Sequence, residues 1–156
     1  MVTELFDSLL AELGKILKIP KLHVDSNHAC LIKFKEGVSI QLERAVKGEG
    51  LMIGCIIGNI PPGKYRENFF REALKANGQP EPRIGTFAYS KRADTLVLYT
   101  ILPMQDLDGE KIAAVLLPFK EKAVAWKEAI DRGSMPVISS SQTVSSGGGG
   151  IFGLRP

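Results

Sequence analysis

Apolar residues stand at positions 2, 5, 6, 9, 10, 13, 16 and 17, the spacing of one face of an α-helix. This pattern predicts an amphipathic helix from Thr3 to Lys18, with Thr3 as its N-cap and Pro20 as its stop. The period then falls to two. Cys30, Ile32 and Phe34 alternate with Leu31, Lys33 and Lys35, and Val38, Ile40 and Leu42 alternate with Ser39, Gln41 and Glu43. Glu36-Gly37 between them makes a hairpin turn that keeps both apolar triplets on one face. Residues 51 to 58 predict a third strand, apolar on both faces.

Pro61-Pro62-Gly63 is a hard break. Lys64 to Asn77 predicts a second helix, with Tyr65, Phe69, Phe70, Ala73 and Leu74 on one side and Gly78 as a left-handed cap. Residues 84–89 and 95–102 predict a second hairpin around Lys91-Arg92-Ala93-Asp94. Asp108 caps a closing helix from about Gly109 to Asp131, with Ile112, Val115, Leu116, Phe119, Ala123, Trp126 and Ile130 at core spacing. Pro118 inside it removes one backbone hydrogen bond and predicts a kink. The order is helix, three strands, helix, two strands, helix. It predicts an α+β domain over residues 1–133, an antiparallel twisted sheet packed against helices.

After Gly133 the composition changes, and residues 134–156 make a Ser/Gly-rich tail expected to be flexible. Ile151, Phe152 and Leu154 near its end are either chance apolar residues or a short docking peptide.

A chain of 156 residues is one domain by length and large enough for a real core. Net charge is only +3, and acids and bases interleave. Lys15, Lys18, Lys21, Lys33 and Lys35 have Glu4, Asp7, Glu12, Asp25 and Glu36 as neighbours, which is a solvated mixed-charge face and not a nucleic-acid surface. The N-terminal residues carry acids where a signal peptide would be basic. The most apolar window, 51–60, is about half a bilayer-spanning length. These features predict a cytoplasmic protein without membrane insertion.

Catalytic chemistry has little to stand on. His23 and His28 lie in the polar stretch Lys21 to His28 and read as solvated or edge positions, without neighbouring metal ligands beyond Asp25. Cys30 and Cys55 lack metal-type spacing and read as small buried hydrophobes. Asp106 and Asp108 are turn and cap residues. No glycine pattern follows a strand and opens a helix, so no phosphate cradle is predicted. The expectation is a protein that is not an enzyme and needs neither cofactor nor metal.

Several strings in this order carry a resemblance: "LFDSLLAELGKIL", "ACLIKFKEGVSIQLE", "YRENFFREALKANG", and above all "TLVLYTILP" followed by "DLDGEKI" and "KAVAWKEAI". Together they resemble the class I type III secretion chaperones, the Tir-chaperone family, over about residues 3 to 131. The resemblance implies a homodimer that binds the N-terminal chaperone-binding segment of secreted effectors, keeps it extended, and presents it to the secretion apparatus. Members are typically acidic, whereas this chain has a pI near 8.9. The alternative is a small α+β adaptor or regulatory module that pairs with a homologous subunit or a folded partner.

A chaperone of this kind needs outward apolar side chains and an open sheet edge. The candidates for partner binding are Leu31, Met52 and Ile56 on the strands, with Leu13 and Ile16 near the end of the first helix. The resemblance places a dimer interface near the second helix, with Tyr65, Phe69, Phe70 and Leu74 as its candidates.

Overall fold

The computed structural model describes residues 2–47 and 49–137, with side chains from residue 4 onward. Most of the 134–156 tail, including Ile151, Phe152 and Leu154, lies outside the described residues. Helix α1 (Val2–Leu17) is followed by strands β1 (Ala29–Lys33), β2 (Ser39–Arg44) and β3 (Gly50–Gly58). Helix α2 (Lys64–Asn77), strands β4 (Thr86–Ser90) and β5 (Thr95–Pro103), and helix α3 (Gly109–Arg132) complete the domain. The element order is the one the periodicity predicts. α1 begins at Val2, one residue ahead of the expected cap at Thr3.

The strands form one five-stranded antiparallel sheet in the order β1-β2-β3-β5-β4. In the first hairpin Cys30 pairs with Leu42 and Ile32 with Ile40, so both triplets do share a face. The turn closes through Phe34 and Val38, and Gly37 takes φ 92°, a conformation costly for any residue with a Cβ. β5 lies beside β3 because α2 carries the chain away from β3 and β4–β5 returns as a hairpin. Pro103 ends β5, where a residue without an N–H cannot continue the ladder.

One face of the sheet carries the buried row Cys30, Ile32, Ile40, Leu42, Ile53, Cys55 and Leu98. The helices cover that face. Phe6, Leu9, Leu10 and Leu13 of α1 and Leu116, Phe119 and Trp126 of α3 fill the same core. Trp126 meets Phe69 edge-on at 5.4 Å between ring centres and Phe87 at 4.1 Å, joining α3 to α2 and β4. α3 starts as expected, with the Asp108 carboxylate accepting from the Lys111 N–H at 2.8 Å. A second carboxylate, Glu12 of α1, accepts from Gly109 N at 2.9 Å. α1 and α3 approach so closely there that a Cβ on Gly109 would fall 2.7 Å from the Glu12 Cβ. Gly78 departs from expectation: its φ of −81° is right-handed, because its N–H stays bonded to the Leu74 and Lys75 carbonyls.

Candidate partner-binding surface

With the helices on one side, the opposite side of the sheet faces outward. Its side chains follow from the register. Leu31 stands beside Gln41, Gly54 and Tyr99; Glu43 stands beside Met52 and Ile101; Ile56 stands beside Val97. Leu31 is 51% exposed and Ile56 63% exposed, Ile101 is equally open, and Met52 is half-buried. Glycine at position 54 leaves open space between these rows, since a Cβ there would touch nothing. Near the β2–β3 connection, Val46, Met52, Ile101 and Pro103 line a shallow apolar hollow of about 560 Å³.

Of the five sequence candidates, Leu31, Met52 and Ile56 therefore share one face. Leu13 does not belong to it. It is fully buried, because α3 crosses α1 at Glu12 and Leu13. Ile16 is exposed but sits in the helical layer, among Glu12, Lys15, Asp108 and Glu110. Ile101 and Val46 were not foreseen. Ile101 had a signal, since the alternation that buries Leu96 and Leu98 points residue 101 outward.

Each sheet edge is occupied at one residue. At the β4 edge the Asn77 side chain occupies both backbone groups of Phe87: its Nδ2 donates to the carbonyl at 2.9 Å and its Oδ1 accepts from the N–H at 2.8 Å. At the β1 edge only the first residue is occupied, where Ala29 exchanges backbone hydrogen bonds with Asp25 and its carboxylate. Two residues on, alternation turns the backbone of Leu31 and then Lys33 toward the same open side. Among the described residues nothing bonds to them there. The free edge and the exposed Leu31 side chain are thus adjacent.

The dimer candidates also divide. Phe69 is fully buried against Trp126 and Tyr65 and belongs to the core of the protomer. Tyr65 is half-buried, with its hydroxyl donating to the Ala129 and Ser134 carbonyls at 3.1 and 2.9 Å, one at a time or shared. Phe70 is half-buried against Tyr89, and Leu74, one turn further on, is 71% exposed. Beside them the β4–β5 turn is clasped to α2. Asp94 accepts from the Tyr89 hydroxyl at 2.5 Å, from Arg66 at 3.0 Å and from Asn59 at 2.9 Å, and these bonds hold its carboxyl below the usual range.

Reactive groups are not gathered at any of these places. Burial pushes the Cys55 thiol up to about 11 and raises that of Cys30, the opposite of what a nucleophile needs. His23 and His28 are exposed on the loop before β1, with His23 Nδ1 3.0 Å from the Lys21 carbonyl. Among the described residues no three His, Cys, Asp or Glu side chains are grouped to hold a metal ion. The outer face offers exposed apolar side chains beside a free strand edge, which suit binding.

Comparison with known proteins bears on what it binds. The model of the Tir chaperone protein (CesT) family matches residues 8–127. No protein with a curated description matches the sequence. The fold resembles a chain of the HopA1–SchA chaperone–effector complex, with TM-score 0.65 at 15% identity, covering 81% of this chain and 96% of that one. It also resembles chains of the ExoU–SpcU complex of the type III secretion system of Pseudomonas aeruginosa (TM-score 0.62, 16% identity, 80% and 98% covered) and of the Yersinia pestis type III secretion chaperone SycH with a fragment of YscM2 (0.57, 18%, 80% and 98%). At these identities the likeness is one of fold.

Proposed function

This chain belongs to the Tir chaperone protein (CesT) family, and from that premise we propose that it is a type III secretion chaperone. It binds the N-terminal chaperone-binding segment of secreted effector proteins, keeps that segment non-globular, and delivers it to the secretion apparatus. The observation that carries this reading is the family match over residues 8–127, which takes in nearly the whole folded domain. It acts by binding, without catalysis, and works in the bacterial cytoplasm as a homodimer. No helix among the described residues is long and apolar enough to cross a membrane.

The geometry supplies what such a task requires. An unfolded segment offers two things: apolar side chains it cannot bury alone, and a backbone with unpaired N–H and C=O groups. The row of Leu31, Ile56, Met52 and Ile101 receives the first, and the free edge of β1 at Leu31 and Lys33 receives the second by strand addition. Asn77 occupies the β4 edge at Phe87, whereas β1 leaves two successive outward residues, Leu31 and Lys33, beside the exposed apolar row, which favours β1 for the incoming strand. Contact through main-chain hydrogen bonds and generic apolar pockets tolerates varied sequences, as a carrier of an extended segment requires.

The test is co-expression with N-terminal fragments of the effectors encoded with the chain's own secretion apparatus. A stable complex should elute at a larger size than the chaperone alone, and the bound fragment should show no cooperative melting of its own. If every such fragment elutes separately, the proposal fails.

A further inference from the structure

A second apolar recess lies on the other side of the molecule from the outer sheet face. The loop 79–85, rich in proline, stands off from α3 and leaves a cleft of about 380 Å³, within the range of pockets that hold small ligands (~300–1,000 Å³). Pro80, Pro82 and Ile84 form one wall, Pro118 and Trp126 the other, and Val137 stands at the rim. Arg83 also lines the cleft; its Nε is itself buried, without a hydrogen-bond partner among the described residues. Lys122, half-buried beside it, already spends its ammonium on the Ile84 carbonyl at 2.6 Å. Between the polar side chains of Gln79 and Glu121, the prolines, Ile84 and Trp126 offer apolar walls that suit the apolar side chains of a short peptide.

The fold leads the chain's own continuation to this place. α3 ends in the left-handed Gly133, whose reversal lets Ser134 N donate back to the Ala129 carbonyl at 2.9 Å. The Tyr65 hydroxyl holds the Ser134 carbonyl, so the chain runs back along α3 and brings Val137 to the cleft. Thirteen residues, 138–150, separate Val137 from Ile151-Phe152-Gly153-Leu154. A Ser/Gly-rich spacer of that length reaches about 20 Å, and a tether so short gives effective concentrations in the millimolar range. We propose that Ile151, Phe152 and Leu154 occupy the cleft between the loop 79–85 and α3 of their own chain. The segment is then a built-in ligand at a site separate from the outer sheet face, and its docking does not depend on the chaperone reading.

Trp126 is the sole tryptophan, so its indole N–H gives one resonance in a nitrogen–proton spectrum. In the full chain, Ile151→Asp with Phe152→Asp should move that resonance, and Ala125→Glu on the exposed face of α3 beside the cleft should move it likewise, with circular dichroism unchanged. A peptide of residues 148–156 added to the double variant should return the resonance to its native position with a Kd around 1 mM, as weak as a tethered ligand is free to be. An identical resonance in native and double-variant chains would overturn the proposal. So would a shift that depends on protein concentration, which would seat the segment in a second copy. So would peptide binding that Leu31→Asp abolishes and Ala125→Glu leaves intact, which would seat it on the sheet.

Discussion

Leu31 and Leu13 are both leucines in amphipathic patterns, and they differ in what covers them. Leu31 projects from an edge strand away from the helices, whereas Leu13 is sealed between α1 and α3. A carboxylate at Leu31 or Ile56 stays in water until a partner arrives, and then must lose that water or keep the partner out. Leu31→Asp and Ile56→Asp should therefore leave the melting temperature nearly unchanged, as exposed substitutions commonly cost within about 0.5 kcal/mol. Effector affinity should drop about tenfold or more, measured by titration calorimetry (~1.4 kcal/mol). Full affinity in the double variant would remove this face from consideration. Leu13→Asp should instead unfold the domain, because an unpaired charge would be enclosed in the core. Alternation in the first strand was enough to tell that Leu31 points outward. Nothing in the α1 stripe told that Leu13 is covered while Ile16 is not, because α3 comes from 97 positions away, at the Glu12–Gly109 contact.

The elements themselves were legible almost to their ends, because each carries a clear period and a stop: Pro20 after α1, Pro61-Pro62-Gly63 before α2, Asp108 before α3. The joints between them were not, since a joint depends on partners distant in sequence. Gly109 looks like an ordinary first-turn residue, yet a Cβ there would also fall 2.9 Å from Leu13 N. Gly109→Ala must push α1 and α3 apart and should cost about 1–3 kcal/mol, read as a lowered midpoint in a urea titration. An unchanged midpoint would mean that the two helices yield without penalty. The Asp94 clasp is a second such joint, between α2 and the β4–β5 turn. A carboxyl whose pKa is lower folded than unfolded stabilises fully above its unfolded value and loses that contribution as pH falls through its folded value. Asp94→Asn keeps a residue that tolerates the positive φ of 51° while removing the charge. The variant should melt lower than the native chain at neutral pH, and the gap should close below about pH 4, the ordinary aspartate range. A gap constant down to pH 2 would show that the charge contributes nothing.

At the scale of the whole molecule, the surplus apolar surface falls in more than one place, and the proposed dimer and the proposed partner can each be given a different one. The outer sheet face adjoins a free strand edge, which suits an extended guest. The α2 side, where Asn77 occupies the β4 edge at Phe87, suits a rigid face-to-face contact. There Leu74 stands 71% exposed one turn from Phe70, which packs on the exposed ring of Tyr89, and the Arg66–Asp94 clasp holds this surface in one shape. Rigid, self-complementary apolar patches are what two-fold pairing uses. A homodimer through α2 and β4 should therefore give a light-scattering mass twice the 17.0 kDa of the chain at micromolar concentration. Leu74→Glu should reduce it to the monomer value without loss of helical signal, since the side chain packs on nothing it would expose. Phe69→Ala, by contrast, should act on stability, lowering it by roughly 3–5 kcal/mol through the cavity left against Trp126. A native chain that scatters as a monomer would refute the dimer. A Leu74→Glu chain that remains dimeric would move the interface off α2 and onto the sheet, where Leu31→Asp and Ile56→Asp would then have to break the dimer before they weakened any effector.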